Sequence, residues 1–265
     1  MKIFALTLAA LASAQKNKNK NNKNNNYAPT TDAPTTEPNY PGTDAPGPYG
    51  GGAGGAYGDP HFMVKSPSQS ALCFDFNPSE GTDMNLLVDP LTALSISATA
   101  KGRDNGKVFM DSIHFASPGG AHLEFDIDGV HVAGLGDAVV TSAHPLTGAQ
   151  SYGDINFIEK WSVDGLHEHT KVQIEDGPVF IIKGNLKKES LSFAVEDTEG
   201  ISNRSRGIIG QFIRDDSYFI ADNGDDTATV TSGGMSVEAT RENFHHTSNC
   251  WVINDEDMLF MMANL

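Results

Sequence analysis

Residues 94–99 read Leu-Ser-Ile-Ser-Ala-Thr, so an apolar side chain alternates with a polar one along the whole stretch. Successive side chains of a β-strand point to opposite faces of the sheet, so this period of two predicts a strand with one buried face. The same alternation recurs in residues 72–76, 123–127, 171–175 and 191–196. Such strands are typical of antiparallel sheets. The repeated pattern therefore predicts an all-β fold of half-buried antiparallel strands.

Turn sequences separate these stretches, and no window of the sequence shows a sustained helical period. Glycine after Asn, Asp or Pro favours the tight turns that join antiparallel strands. Many short strands at this spacing indicate a β-sandwich or a barrel-like domain, which we assign to residues 58–265. The turn sequences are Asp104-Asn105-Gly106, Pro118-Gly119-Gly120, Asp128-Gly129, Asp164-Gly165, Asp176-Gly177-Pro178 and Asn223-Gly224.

The chain begins with a sequence typical of a secretory signal peptide. Met1-Lys2 is a short charged region, residues 3–11 are apolar, and Ala12-Ser13-Ala14 is a small-residue cleavage site. The apolar run is too short to span a bilayer, and no other segment approaches the length that a membrane helix needs. We therefore expect residues 1–14 to be removed and the mature protein to be secreted and extracellular, with no membrane span.

Residues 15–57 form a leader of low complexity. Its first part, residues 15–26, is almost entirely Asn and Lys, and the rest is rich in Pro, Thr, Gly and Tyr. This composition buries too little apolar surface to offset the loss of chain entropy, so we expect the leader to be disordered. Threonines beside prolines indicate either a mucin-like O-glycosylated stalk or an unmodified linker.

The protein is strongly acidic, with 18 Lys and Arg against 34 Asp and Glu and a formal net charge of -16. Repulsion between like charges argues against nucleic acid as a partner and against bulk attraction of anionic glycans to the domain. The Asn/Lys run of the leader is the exception, because its basic residues could bind a polyanion, the acidic domain of the same chain, or nothing.

Two cysteines, Cys73 and Cys250, lie near opposite ends of the predicted domain. In a secreted protein an even number of cysteines indicates a disulfide, and the alternative is a pair of buried thiols. The Cys-x-x-Cys spacing of a zinc site is absent from the sequence, so we predict no metal site at the cysteines.

Residues 58–62, Gly-Asp-Pro-His-Phe, stand where the leader meets the predicted domain. An Asp-Pro bond is chemically weak, because the aspartate side chain can attack its own backbone carbonyl and a protonated proline nitrogen leaves readily. Asp59 would then be the nucleophile and His61 the proton donor of a self-cleavage reaction. The alternative is an ordinary Asp-Pro turn at a domain entrance. The same dipeptide at residues 89–90 lacks the flanking Gly and His-Phe and provides an internal comparison.

Five motifs follow one another along the chain: Gly-Asp-Pro-His-Phe at residues 58–62, Leu-Cys-Phe-Asp at 72–75, Val-Asp-Pro-Leu-Thr at 88–92, Gly-Ile-Ile-Gly-Gln-Phe at 207–212 and Cys-Trp at 250–251. This ordered set resembles the C-terminal domain of inter-alpha-trypsin inhibitor heavy chains, and the resemblance covers residues 58–265. A more distant resemblance is to von Willebrand type D domains, which also begin with Gly-Asp-Pro-His and in some mucins break at this motif by themselves.

The resemblance implies a reaction at the first motif. Heavy chains are cut between the Asp and the Pro, and the exposed Asp carboxyl is esterified to chondroitin sulfate, from which it can pass to hyaluronan. Carried over to this chain, Asp59 is the residue whose carbonyl is attacked and esterified, Pro60 becomes the new N-terminus, and His61 is a member of the motif. The implied partners are glycosaminoglycans or matrix glycoproteins.

The part of the chain before the motif differs from that of heavy chains, which carry large adhesion domains there. Two functions therefore remain open. The first is a secreted matrix protein, linked by resemblance to hyaluronan metabolism, that cleaves itself once at Asp59-Pro60 and transfers Asp59 to a glycosaminoglycan. The second is an uncleaved structural, adhesive or mucin-like matrix glycoprotein. Neither is a conventional enzyme, and the sequence holds no Gly-x-Ser-x-Gly elbow or phosphate loop.

Two polar features outside the motif carry weaker predictions. Asp222, Asp225 and Asp226 lie at a turn and could bind Ca²⁺, but they lack the ligand spacing of an EF-hand loop, so we expect a solvated acidic turn and no cofactor. Asn203 begins the glycosylation sequence Asn-Arg-Ser, which would place a glycan on a surface turn.

The histidines include pairs at spacings that can hold Zn²⁺. These are His167 with His169 and His245 with His246. A zinc site needs at least three protein ligands, and the sequence shows no third ligand for either pair. We therefore expect all four to be surface histidines rather than metal ligands.

Overall fold

The computed structural model describes residues 52–133, 140–142, 150–162, 165–214, 216–245 and 247–263. The predicted signal peptide, residues 15–51 of the predicted leader and His246 lie outside the described residues. Within the described part, the chain forms eighteen strands, a short 3-10 helix and one α-helix, which confirms the predicted all-β class.

The strands are β1 (Gly54–Tyr57), β2 (His61–Val64), β3 (Leu72–Asp75), β4 (Asp83–Asp89), β5 (Leu94–Gly102), β6 (Val108–Ala116), β7 (His122–Phe125), β8 (Val130–Ala133), β9 (Val140–Ser142), β10 (Gln150–Tyr152), β11 (Ile155–Ser162), β12 (His167–Ile174), β13 (Val179–Asn185), β14 (Ser190–Asp197), β15 (Phe219–Gly224), β16 (Thr227–Ser232), β17 (Met235–Phe244) and β18 (Thr247–Val252). The 3-10 helix spans Gly210–Phe212 and the α-helix, α1, spans Asp255–Ala263.

The strands form two hydrogen-bonded ladders, and a single pair of residues links one ladder to the other by strand pairing. The longer ladder runs β10-β11-β12-β13-β14-β1-β2-β3-β18-β17-β16-β15. The shorter ladder runs β4-β5-β6-β7-β8-β9. Leu191 of β14 pairs with Met110 of β6 and joins the two.

One strand pair departs from the predicted antiparallel arrangement, because β3 and β18 are parallel. Apolar alternation defines the faces of a strand but not the direction of its neighbour, so the sequence pattern could not predict this pair. Parallel neighbours need a long connection, and here almost the whole domain lies between the two strands. Among the other described pairs of strands, all are antiparallel.

The apolar faces of the two ladders pack against each other, as in the predicted sandwich. Phe115 of the shorter ladder lies at the centre of this core, with ring centroids 5.6 Å from Phe180 and 6.2 Å from Phe193 of the longer ladder. A second contact joins Phe125 to Phe157 at 6.1 Å. Aromatic pairs in these tilted arrangements add to the free energy gained by burial.

The disulfide predicted between Cys73 and Cys250 is present, and it joins the parallel strands β3 and β18. Both cysteines are fully buried and pack with Phe244 at the end of β17. The bond closes a loop with a sequence separation of 177 residues. It therefore ties the start of the domain to its C-terminal hairpin.

The helix α1 forms where the sequence shows no sustained helical period. Asn254 caps it by accepting a hydrogen bond from the Asp257 backbone N–H at 2.9 Å. The acidic residues of its first turn suit the positive end of the helix dipole, and Met258 and Met261 are buried in the core. The helix has only nine residues, too few for a repeating pattern to emerge. In the described chain, no helix is long and apolar enough to cross a membrane.

The first strand lies inside the sheet rather than at its edge. All four residues of β1 are buried, and β1 pairs with β2 on one side and β14 on the other. Gly54 permits this close approach, because a Cβ there would lie 2.9 Å from the Met63 carbonyl oxygen. The sheet therefore begins at Gly54, four residues before the boundary predicted at Gly58.

Candidate functional site

The Asp59-Pro60 bond lies in the loop of the β1–β2 hairpin. Tyr57 and His61 are paired across the base of this loop, and Gly58 adopts a φ of 66°, which favours glycine. Pro60 is buried, and its carbonyl oxygen accepts a hydrogen bond from the Phe76 N–H at 3.2 Å. Both ends of the bond are therefore fixed by the sheet.

The carboxylate of Asp59 lies between the side chains of Lys107 and His61. Its Oδ2 atom lies 2.6 Å from Nζ of Lys107, and its Oδ1 atom lies 3.1 Å from Nε2 of His61. Partial burial raises the pKa of Asp59, but the Lys107 hydrogen bond, a backbone hydrogen bond and the nearby His61 and Lys107 charges outweigh it, so the pKa is lowered overall. Asp59 is thus held as a carboxylate, which is the nucleophilic form.

The imidazole of His61 lies between two carboxylates. Its Nδ1 atom is 2.5 Å from Oδ1 of Asp75, and its Nε2 atom faces Asp59. Asp75 is the cross-strand partner of His61 in the β2–β3 ladder. Each ring nitrogen of His61 therefore faces a carboxylate oxygen, which can accept a hydrogen bond from that nitrogen when the nitrogen carries a proton. The ring is 13% exposed and is therefore held largely away from solvent.

His245 packs directly on the His61 ring, with centroids 3.3 Å apart and planes inclined by 27°. It lies in the turn between β17 and β18, where its φ is 50°, and its Nε2 atom is 3.7 Å from Oδ1 of Asp75. Phe244 and Tyr57 present ring edges to the same pair. The aromatic neighbours restrict the movement of both histidine rings.

The site therefore contains residues that the sequence did not predict. Asp59, Pro60 and His61 lie together as expected, and the structure adds Asp75 and Lys107. Asp75 belongs to the Leu-Cys-Phe-Asp motif, so the sequence drew attention to this residue but did not indicate what it does. Lys107 directly precedes β6 of the shorter ladder, and nothing in the sequence connects it to the motif.

Three of the four histidines singled out in the sequence, His167, His169 and His245, lie among the described residues. His245 joins His61 and Asp75 in a group whose ligand atoms all lie within 4.8 Å of one another. His245 is exposed, as expected of a surface histidine, and it also lies against His61 of the first motif. His167 and His169 lie on β12 and belong to no such group among the described residues.

The comparison bond, Asp89-Pro90, lies in a different environment. The Asp89 side chain is fully buried and accepts hydrogen bonds from the Ser202 N–H and hydroxyl, both at 2.6 Å, and from the Leu91 N–H at 3.0 Å. Burial raises the pKa of Asp89, but these hydrogen bonds outweigh it and lower the pKa overall. The carboxylate is engaged by donors that anchor a loop, and no imidazole is among these partners.

The remaining predicted residues lie on turns. Asp222, Asp225 and Asp226 are exposed at the β15–β16 turn, and Asp222 pairs with Arg241 at 2.8 Å, which neutralises part of the acidic charge. Asn203 is exposed and lines the rim of an open cleft of about 890 Å³. Gly207, Ile208 and Gln211 of the fourth sequence motif also line this cleft, whereas residues 58–62 do not.

Known proteins were matched only at a distance. No protein-family profile and no solved structure matches the chain. Inter-alpha-trypsin inhibitor heavy chain H3 from Pongo abelii is 24% identical over 187 residues, and so is the same protein from Homo sapiens. These alignments cover 62% of this chain. The chain is distantly similar to inter-alpha-trypsin inhibitor heavy chains.

The similarity extends to a second kind of heavy chain. Inter-alpha-trypsin inhibitor heavy chain H1 from Homo sapiens is 24% identical over 231 residues, which is 74% of this chain and 24% of the relative. The chain spans about a fifth of the length of the H3 relatives that it matches. These matches support the resemblance that the five sequence motifs suggested.

Proposed function

We propose that this chain is a secreted extracellular matrix protein that cleaves itself once at Asp59-Pro60 and transfers Asp59 to a hydroxyl group of a glycosaminoglycan. The observation that carries the proposal is the position of His61, which lies 3.1 Å from the Asp59 carboxylate and 2.5 Å from Asp75. These contacts support Asp59 as nucleophile, His61 as proton donor and Asp75 as the carboxylate that orients the imidazole. The distant similarity to heavy chains supports the same reaction.

In the first step, a carboxylate oxygen of Asp59 attacks the backbone carbonyl carbon of the same residue. A cyclic anhydride forms, and the bond from this carbon to the Pro60 nitrogen breaks. The leaving nitrogen takes the Nε2 proton of His61, so it departs as a neutral amine. Asp75 remains bonded to the Nδ1 proton and keeps the imidazole oriented.

In the second step, an acceptor hydroxyl attacks the backbone carbonyl carbon of the anhydride. The neutral His61 takes the hydroxyl proton at Nε2, and the side-chain carboxylate of Asp59 is released. The product is an ester of the Asp59 α-carboxyl group with a sugar hydroxyl, or a free acid where water is the acceptor. His61 returns to its starting state, but the bond has been consumed, so the protein acts once and is not an enzyme.

The alternative is an uncleaved structural or mucin-like matrix glycoprotein. One observation favours it: Asp59 bridges His61 and Lys107, and this bridge links β2 to β6. The same contacts could therefore serve only to join the two ladders. The state of the Asp59-Pro60 bond separates the two functions.

The test is the intact mass and N-terminal sequence of the full chain secreted from animal cells. We expect a fragment that begins at Pro60 and a partner peptide that ends at Asp59. Added sugar mass on this peptide indicates ester transfer, and a bare peptide indicates hydrolysis, which would overturn the transfer step. An uncut wild-type chain would overturn the whole proposal in favour of the structural alternative.

A variant tests the nucleophile directly. Asp59→Asn removes the carboxylate, so this variant should stay intact. The matched control is Asp111→Asn, because Asp111 pairs with Lys101 at 2.9 Å much as Asp59 pairs with Lys107. The control should cleave like the wild type. Equal cleavage of Asp59→Asn and the control would exclude the anhydride route.

A further inference from the structure

We propose that His61, Asp75 and His245 form a binding site for a divalent transition-metal ion of the zinc type. We further propose that the bound ion keeps the Asp59-Pro60 bond uncut. The second part rests on the proposed self-cleavage, whereas metal binding itself does not.

The three candidate ligand atoms come from three strands or their ends. Oδ1 of Asp75 lies 2.5 Å from Nδ1 of His61 and 3.7 Å from Nε2 of His245, and one ligand atom from each residue lies within 4.8 Å of the other two. Imidazole nitrogen and carboxylate oxygen are ligands that zinc prefers, and three protein ligands leave a fourth position for water. The chemistry of the set therefore fits zinc better than calcium, which takes oxygen ligands.

The surrounding structure holds these ligands in place. His61 and Asp75 are opposite each other in the β2–β3 ladder. Cys73 lies two residues before Asp75 on β3, and its disulfide to Cys250 fixes β3 to β18, the strand that follows His245. A site whose ligands are fixed before binding loses less conformational entropy when the ion arrives.

The site is accessible and carries negative charge. The side chains of Asp75 and His245 are 35% and 38% exposed, so an ion can reach them from solvent. Asp255 lies close enough that burial and the Asp75 charge together raise its pKa. A second carboxyl group therefore lies near the Asp75 carboxylate, in a domain with an excess of acidic residues.

Binding requires a small local change. Ligand atoms of a tetrahedral zinc site lie about 3.3 Å apart, given bonds of about 2 Å. The 2.5 Å separation of His61 Nδ1 and Asp75 Oδ1 must therefore widen as the ion replaces the shared proton. The stacked rings must also splay apart, and the His245 ring, which lies in a turn and is 38% exposed, can move towards solvent.

Metal binding would remove the proton donor of the cleavage step. An ion at Nδ1 takes the place of the proton that Asp75 accepts. The ring could then release its Nε2 proton only by becoming an imidazolate anion, and a ring with one proton is a far weaker acid than a ring with two. The Pro60 nitrogen would therefore leave unprotonated, and cleavage would slow.

Metal binding can be measured without cleavage in the full chain carrying Asp59→Asn. Titration with Co²⁺, followed by visible absorption, and with Zn²⁺, followed by calorimetry, should show one equivalent bound. Adding His245→Gln should weaken binding at least tenfold. The matched control is His131→Gln, since His131 pairs with Asp126 at 3.0 Å elsewhere on the surface, and it should leave binding unchanged. Absence of metal binding, or an equal loss of affinity in His245→Gln and His131→Gln, would overturn the proposed metal site.

The effect on cleavage is measured in the wild-type full chain, with Zn²⁺ or with a chelator. We expect cleavage to be at least tenfold slower with Zn²⁺ than with the chelator. In His245→Gln the two cleavage rates should be about equal. Binding without slower cleavage would overturn the regulatory part alone. A wild-type chain that binds metal but stays uncut even in chelator would overturn self-cleavage and leave the metal site standing. Cleavage with no metal binding would overturn the metal site and leave self-cleavage standing.

Discussion

Nδ1 of His61 lies 2.5 Å from Oδ1 of Asp75, its cross-strand partner on β3. This contact fixes the orientation of the imidazole, because a carboxylate that accepts one ring proton leaves the opposite nitrogen pointing towards Asp59. The arrangement follows the same logic as hydrolytic triads, in which a buried carboxylate orients a histidine that handles protons. In this chain, the group that attacks and the bond that breaks belong to the same residue.

Asp75 should therefore be needed for fast cleavage although it does not touch the scissile bond. We expect Asp75→Asn to slow cleavage by about 100-fold, because a neutral amide no longer favours the orientation and protonation that the carboxylate gives the ring. The rate can be followed by the appearance of the Pro60 N-terminus after refolding of denatured precursor. Asp111→Asn is the control. The role assigned to Asp75 would be wrong if the variant folds normally and cleaves at the wild-type rate.

Lys107 should control the pH dependence of cleavage. It lowers the pKa of Asp59, and only the carboxylate form of Asp59 attacks. In Lys107→Gln the pKa of Asp59 rises, so the acidic limb of the cleavage profile should move to higher pH. The measurement is the cleavage rate between about pH 3 and pH 7, a range that covers ordinary carboxyl pKa values.

A matched control for Lys107 is Lys101→Gln. Lys101 also pairs with an aspartate, Asp111, and its side chain is 50% exposed against 53% for Lys107. The pH profile of cleavage in Lys101→Gln should coincide with that of the wild type. A shift of equal size in both variants would mean that general charge, rather than the Lys107 contact, sets the pH dependence.

Asp89 should matter for stability rather than for cleavage. Its fully buried carboxylate anchors the Ser202 loop, so Asp89→Asn should lower the free energy of unfolding by about 3 kcal/mol. The folded-state pKa lies below the ordinary value of 3.8, so this stabilisation is present above that pH and is lost as the pH falls through the lowered pKa. Urea unfolding at neutral and acidic pH checks both points, and the two proteins should differ least in acid.

The disulfide should contribute strongly to stability. Closing a loop of 177 residues restricts the unfolded chain by about 5 kcal/mol in the chain-entropy model. We expect the double variant Cys73→Ala/Cys250→Ala to lose an amount of this order in chemical unfolding, and reduced wild-type protein to behave similarly. A loss below about 1 kcal/mol would show that the loop entropy is offset elsewhere.

The fold class was predictable because alternation is a local property of the chain. The stretches at residues 94–99 and 191–196 lie in β5 and β14, where the apolar side chains are buried as expected. The direction of β18 beside β3 was not predictable, since alternation is the same in parallel and antiparallel strands. Helix α1 was missed because its nine residues are too few to show a period.

The site was predictable only in part, and for a related reason. Asp59 and His61 are neighbours in sequence, and the chemistry of the Asp-Pro bond points to them. Asp75 depends on the register of β2 with β3, Lys107 on the packing of the second ladder, and His245 on a hairpin far along the chain. These relationships come from strand pairing and packing, which spacing in one sequence does not encode.

The position of β1 determines how the two fragments of a cut chain would be held. The new end at Asp59 directly follows a strand hydrogen-bonded on both sides, to β2 and β14. A glycan attached at that end would pull along the strand axis and load these hydrogen bonds in shear, all at once, rather than peel them one by one. After cleavage, only the pairing and packing of β1 would hold the fragment that ends at Asp59 to the domain. The strength of this attachment would depend on the four buried residues of the first strand.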